Sequence, residues 1–255
     1  MNKLEHDIST YKEPSFLFQL YRQSPLLRLS LRVHCTKEVN LPLMYTYLAI
    51  GDSLTAEDSL SHQQNGLITP YLQYLKKTLK EPVCLKRLGE GTLTARKLYW
   101  YASNYQHEHL IYNASIITIT AGGNDFLDAY EMAKLIQSDR PFLQAEMVTF
   151  QAMETLLRYI LSIKEGSRQP YCIRIVNVYN PYPQEEELDQ AIQSYNHRLK
   201  VLENRGTVQI IDAYQALQKN TNQLLAIDHE NPNERGYQKL LAQLIASGIS
   251  PINES

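Results

Sequence analysis

Cysteine is scarce in this sequence. Cys35, Cys84 and Cys172 are odd in number and far apart, with no Cys-x-x-Cys pair. That argues against a disulfide framework and reads as reduced thiols in a cytosolic protein. An excess of one charge is lacking as well. The 25 Lys and Arg against 27 Asp and Glu leave a formal charge of −2, so nothing in the bulk electrostatics draws the chain to nucleic acid or an anionic membrane. No uninterrupted apolar run approaches the ~18–20 residues of a membrane span. The first residues, Met1-Asn2-Lys3-Leu4-Glu5-His6-Asp7, carry no apolar signal core, which fits a cytoplasmic location. No His/Cys/Asp/Glu cluster has metal-site spacing. Gly89-Glu90-Gly91 is too short for a phosphate loop and lacks a following Lys-Ser/Thr, so neither a metal nor another cofactor is expected. After residue 44 there is no repeat, low-complexity tract or linker. The 18 tyrosines are scattered, as packing and rim residues rather than a stacking platform.

What is present is the composition of one soluble globular core: 255 residues, 44% hydrophobic and 20% charged. The stretch that organises it is Tyr45-Thr46-Tyr47-Leu48-Ala49-Ile50 followed by Gly51-Asp52-Ser53. A run of β-formers empties into a tight turn presenting one hydroxyl. Further strands are expected at Val83–Leu88, Ser115–Ala121, Tyr171–Val178 and Val208–Ile211. Between them lie helical patterns: Ile68, Tyr71, Leu72, Leu75 and Leu79; Thr94 to Ser103, with Leu98, Tyr101 and Ala102 on one face; and about 144–164. Two more follow, one with the stripe Leu188, Ala191, Ile192, Tyr195, Leu199 and Leu202, the other with Tyr237, Leu240, Leu241, Leu244 and Ile245. The third strand is nearly all apolar or threonine, as a strand covered by helices on both sides should be. This alternation predicts an α/β fold with a parallel sheet and right-handed crossovers. Residues 1–43 read as an N-terminal extension punctuated by Pro14, Pro25 and Pro42. Its one regular feature is the alternation of Leu27, Leu29, Leu31 and Val33 with polar residues.

Two blocks leave strands about seventy residues apart: Gly51-Asp52-Ser53-Leu54 and Gly122-Gly123-Asn124-Asp125. Together they resemble the GDSL, or SGNH, family of esterases and lipases, and the resemblance runs from about residue 45 to 247. It implies a flavodoxin-like three-layer α/β/α sandwich with a five-stranded parallel sheet of order 2-1-3-4-5, occupying residues 44–255. That order brings Ser53 and Asn124 to one switch point. The resemblance also implies Ser53 as nucleophile, with an oxyanion hole from the Ser53 N–H, the Gly91 N–H and the Asn124 amide. In the block Arg87-Leu88-Gly89-Glu90-Gly91-Thr92-Leu93-Thr94 the second glycine falls one place early, so Thr92 takes that position if no gap is allowed. Asp125 is expected to cap the helix that follows it.

The last block departs from the family. Where members carry Asp-x-x-His-Pro-Asn, this chain has Asp228-His229-Glu230-Asn231-Pro232-Asn233, with Gly236-Tyr237 fixing the register. Asn231 therefore stands where the family has its histidine, and an amide does not take up a proton at working pH. His229, next to Asp228, and His62, in the loop after Ser53, are the replacements nearest to hand. His107 and His109 precede strand three, at the opposite edge; His197 falls within a helix; His6 and His34 lie in the N-terminal segment. Two functions stay open. One is a hydrolase of small-molecule esters with a weakened or rewired dyad. The other is a non-catalytic descendant that binds an ester or acylated ligand. Because residues 1–43 lie outside the resemblance, a chain beginning at Met44 is expected to be soluble. Its melting temperature should lie close to that of the full chain, which a thermal scan of the two side by side checks.

Overall fold

A computed structural model describes residues 44–56, 66–204, 206–228 and 230–252. The Leu27–Val33 alternation, His62 and His229 lie outside the described residues. Five strands, β1 (Tyr45–Gly51), β2 (Val83–Gly89), β3 (Ile116–Thr120), β4 (Cys172–Val176) and β5 (Val208–Ile211), form one parallel sheet in the order β2-β1-β3-β4-β5. The helices are α1 (Ser53–Ala56), α2 (Ile68–Leu79), α3 (Ala95–Ala102), α4 (Glu108–Asn113), α5 (Gly123–Ile136), α6 (Arg140–Lys164), α7 (Glu186–Leu199), α8 (Ala213–Gln218), α9 (Thr221–Leu224) and α10 (Glu234–Ala246). This is the α/β/α sandwich that the motifs implied.

The two faces of each strand feed two separate cores, because successive side chains point to opposite sides. Leu48 and Ile50 of β1, Ile117 and Ile119 of β3, and Ile173 and Ile175 of β4 pack under α3 to α7. Tyr47, Ala49, Ile116, Cys172, Val176 and Ile211 face α2 and α8 to α10. The second layer buries a charge. Arg174 of β4 is fully buried, and its guanidinium donates to the carbonyls of Ile173, Thr207, Ser247, Gly248 and Ser250. A buried ion needs such partners, and here they are main-chain oxygens, chiefly from the turn after α10, together with the Ser247 hydroxyl.

Several expectations are refined. Tyr101 does not share the buried face of α3: it is exposed, while Ala95, Leu98 and Ala102 are buried. The 144–164 helix starts earlier, at Arg140, where Pro141 suits the first turn. Asp125 does not cap its own helix. Its carboxylate accepts from the Ala95 N–H at 2.8 Å, so it caps α3 across the cleft, together with Thr94, the N-cap residue, whose hydroxyl accepts from Lys97 N–H. The sequence distance of thirty residues hid this, since capping is read locally.

At the C-terminal edge the first three strands crowd together. Gly51 is in register with Gly89 on one side and Thr120 on the other. A Cβ on Gly89, whose φ is +147°, would overlap the Gly51 carbonyl, and one on Gly51 would lie 2.6 Å from the Thr120 carbonyl. Only glycine permits this approach.

Burial pushes the Asp125 carboxyl up to about 6, from 3.8 when unfolded. Between those values the folded state holds more proton than the unfolded, so this group's contribution to stability falls as pH rises through the window. Asp125→Asn keeps an oxygen for Ala95 N–H and removes the titration. The melting temperature of the variant relative to wild type is expected to rise between pH 4 and pH 7 by roughly 6–12 °C, about 3 kcal/mol. A flat difference would mean that the carboxylate is not penalised by burial.

Candidate active site

The site is built where β1 and β3 end. After Gly51 the chain turns at Asp52, whose N–H donates to the Thr120 carbonyl at 3.1 Å. The Asp52 side chain is buried and accepts from Leu54 N–H at 3.2 Å and from the Thr120 hydroxyl at 2.8 Å. Thr55 and Thr120 hydroxyls meet at 2.9 Å. This knot fixes the first turn of α1 and sets Ser53 at its start, half-buried and facing the cleft. Burial raises the Asp52 pKa despite those hydrogen bonds.

Ser53 does not stand alone. Its hydroxyl donates to Asn231 Oδ1 at 3.1 Å, and Asn231 Nδ2 donates to Asp228 Oδ2 at 2.8 Å. The carboxylate can only accept, which orients the amide: Nδ2 must face Asp228, leaving Oδ1 for the serine. Asp228 Oδ1 also accepts the backbone N–H groups of Glu230 and Asn231, both at 3.0 Å, wrapping the loop around the carboxylate. Serine, amide and carboxylate thus stand in line, from positions 178 and three residues apart in sequence.

The landmarks after Asn231 hold that loop in place. Ala226 N–H donates to the Asn231 carbonyl, and Leu225 bridges Pro232. Asn233 caps α10 by accepting from Arg235 and Gly236 N–H, while its amide donates to the Gln223 and Leu225 carbonyls. A Cβ on Gly236 would strike the Leu224 carbonyl and Pro232. Pro232, Asn233 and Gly236, which mark the register in the sequence, are physically the clamp that presents Asn231.

On the other wall, Gly122 takes φ +109° to start α5, and Asn124 sits in its first turn. The Asn124 amide donates to the Leu93 carbonyl at 2.9 Å and to the Gly91 carbonyl at 3.3 Å. Gly91, Thr92, Asn124, Ser53 and Asn231 all line one cavity of about 290 Å³. Its walls continue into Phe126, Leu127, Val176, Val178, Leu188 and Ile192.

One group of residues was not singled out as part of the site from sequence. Tyr179 O–H donates to the Glu230 carbonyl at 2.6 Å, and Tyr182 O–H to Glu230 Oε1 at 3.2 Å. Tyr182 stacks on Tyr130 of α5 at 4.8 Å between centroids, and Tyr130 O–H reaches Glu185. The loop after β4 therefore straps the Asp228–Asn231 loop to α5. Burial first, then the Glu230 charge, pushes the Tyr182 phenol up to about 12, so it stays a donor. The signal in sequence was Tyr179-Asn180-Pro181-Tyr182-Pro183 directly after a strand, where sheet-edge chemistry collects.

Among the described histidines none approaches Ser53. His107 and His109 precede β3, at the edge opposite the site; His107 Nδ1 lies 3.0 Å from the Tyr101 carbonyl. His197 is exposed on α7. No group of three or more His, Cys, Asp or Glu placed to hold a metal occurs among the described residues. No helix among them is long and apolar enough to cross a membrane.

The chain is similar to known proteins over most of its length. It is 29% identical over 202 residues to the spore germination lipase LipC of Bacillus licheniformis, spanning 79% of this chain and 95% of that one. The crystal structure of the lipase Lip_vut3 from a goat rumen metagenome superposes with a TM-score of 0.77 at 29% identity, covering 82% of this chain and 99% of the other. A lipolytic protein of the G-D-S-L family from Veillonella parvula shares the fold, with a TM-score of 0.57 at 17% identity over 81% and 98% of the two chains. The model of the GDSL-like lipase/acylhydrolase family matches residues 49–239, so this chain belongs to that family.

Proposed function

We propose that the chain hydrolyses small or medium acyl esters through Ser53, at a rate held down by Asn231 in the position of the general base. The observation that carries this is the hydrogen-bonded line Ser53–Asn231–Asp228. Family membership supports the reaction class, and the line supports the assignment of roles. A serine hydroxyl needs a base within hydrogen-bond reach to attack a carbonyl. Asn231 meets the distance requirement and fails the chemical one, because its amide oxygen accepts a hydrogen bond without accepting the proton. Loss of the base in a serine hydrolase costs on the order of 10⁶ in turnover.

The remaining parts suit acyl transfer. Ser53 N–H and the Asn124 amide flank the cavity, with Gly91 and Thr92 in the facing loop. In this reading Asn124 gives up its longer bond, to the Gly91 carbonyl, when a tetrahedral oxyanion arrives. Each such donor contributes roughly 3–4 kcal/mol to the transition state. Asp228 is already placed to hold an imidazole by its second nitrogen. The substrate is a small-molecule ester or acylated compound. A second reading, a binding protein for such ligands, is favoured by one observation: the serine proton is already occupied by an acceptor that cannot remove it.

Wild-type hydrolysis of a p-nitrophenyl short-chain ester is expected to be slow, with weak fluorophosphonate labelling of Ser53. Asn231→His is expected to raise the rate at least roughly a hundredfold, the lower end for a positioned general base. His229→Ala should leave the wild-type rate unchanged, and abolition would instead make His229 the base. An Asn231→His protein that stays silent with its imidazole shown against Ser53 and Asp228 would support the binding role.

A further inference from the structure

We propose that the cavity behind Ser53 is a slot for an unbranched acyl chain of medium length, with Leu188 and Ile192 setting how long a chain it takes. This rests on reading Ser53 as the group that meets an ester. The slot has a polar mouth and an apolar interior. Ser53, Thr92, Glu230 and Asn231 at the mouth are exposed or half-buried. Inside, Val178 comes from the extension of β4, Phe126 and Leu127 from α5, and Leu188 and Ile192 from α7. All but Leu127 are at most 5% exposed.

The geometry follows from how the helices pack. α5 and α7 each lie along α6 but meet each other only briefly, which leaves a gap over β4. Leu188 and Ile192 are four residues apart, so they stack on one face of α7 and form a continuous wall. The polar groups behind the mouth are committed elsewhere: the Asn177 amide donates to Asp212 and its oxygen accepts from Tyr214 N–H, Asp52 accepts from Leu54 N–H and the Thr120 hydroxyl, and Tyr179 O–H donates to the Glu230 carbonyl. A sugar or other hydroxylated acyl group would lose its water inside and find no partner. A hydrocarbon chain loses nothing there. A cavity of about 150 Å³ holds a six-carbon ring. The present cavity of about 290 Å³ shares its outer part with the ester, which points to roughly six to ten carbons.

Binding of a straight-chain alkanoate series to the wild-type protein tests the slot without any need for turnover. The series runs from acetate to tetradecanoate, below the micelle concentrations, by calorimetry. Affinity is expected to rise about threefold to fourfold per methylene, then level off near eight to ten carbons. Ile192→Phe should bring that limit down by two or three carbons, and Leu188→Ala should move it up. If either variant melts too early to titrate, Leu127→Phe, on a half-buried position, fills the slot from α5 and should also shorten the limit. Affinity that ignores chain length, or a limit that none of the variants moves, overturns the proposal. An Asn231→His protein inactive on every ester would instead count against Ser53 as nucleophile, while the alkanoate series still judges the slot.

Discussion

The structure depends on one close approach: the end of β1 against the ends of β2 and β3. Gly51 lies in register between Gly89 and Thr120, with no room for a side chain on either glycine. Because these strands end level, the turns that leave them emerge side by side. Ser53, the Gly91–Thr92 loop and Asn124 then line one cavity although they come from three crossovers. Asp52, held to Thr120 by both backbone and side chain, locks that edge. A site assembled this way is positioned by sheet register rather than by loop contacts, which keeps its geometry rigid.

The opposite side of the cleft is assembled differently. Asp228 and Asn231 sit on a loop between two helices, and that loop is held by capping and strapping. Asn233 draws it toward α9 and α10, while Tyr179 and Tyr182 hold Glu230 from the β4 side. The amide at Asn231 fits this frame without distortion, since its two ends match a donor and an acceptor already in place. In the proposed reading, Asn231 at the histidine's position keeps the hydrogen-bond order from Ser53 to Asp228 and lacks the basic atom.

Most of the fold was legible in the sequence, because buried strands such as Ile116–Thr120 and striped helices such as Glu186–Leu199 announce themselves by period. The Gly-Asp-Ser and Gly-Gly-Asn-Asp turns were legible too, as each follows a strand. Less visible were contacts between distant segments. Asp125 capping α3 rather than its own helix, and Tyr182 reaching Glu230, depend on which loops the sheet order makes neighbours. Arg174 was hidden for a related reason: inside an apolar strand it counts as an interruption until its carbonyl partners are placed around it. The short helices Ala213–Gln218 and Thr221–Leu224 carry too few turns for a period to show.

Arg174 also changes what the turn after α10 is for. A guanidinium in the middle of a sheet has given up its water, and the carbonyls of Ser247, Gly248 and Ser250 take the place of that water. Residues 247–250 are in effect a solvation shell made of backbone. They are peripheral in sequence and central in energy. Their loss would leave a bare cation beside Cys172 and Tyr71 in the second core, where charge is poorly tolerated. The sheet that aligns the turns carrying Ser53 and Asn124 is therefore sensitive to the far end of α10, through electrostatics and not through packing alone.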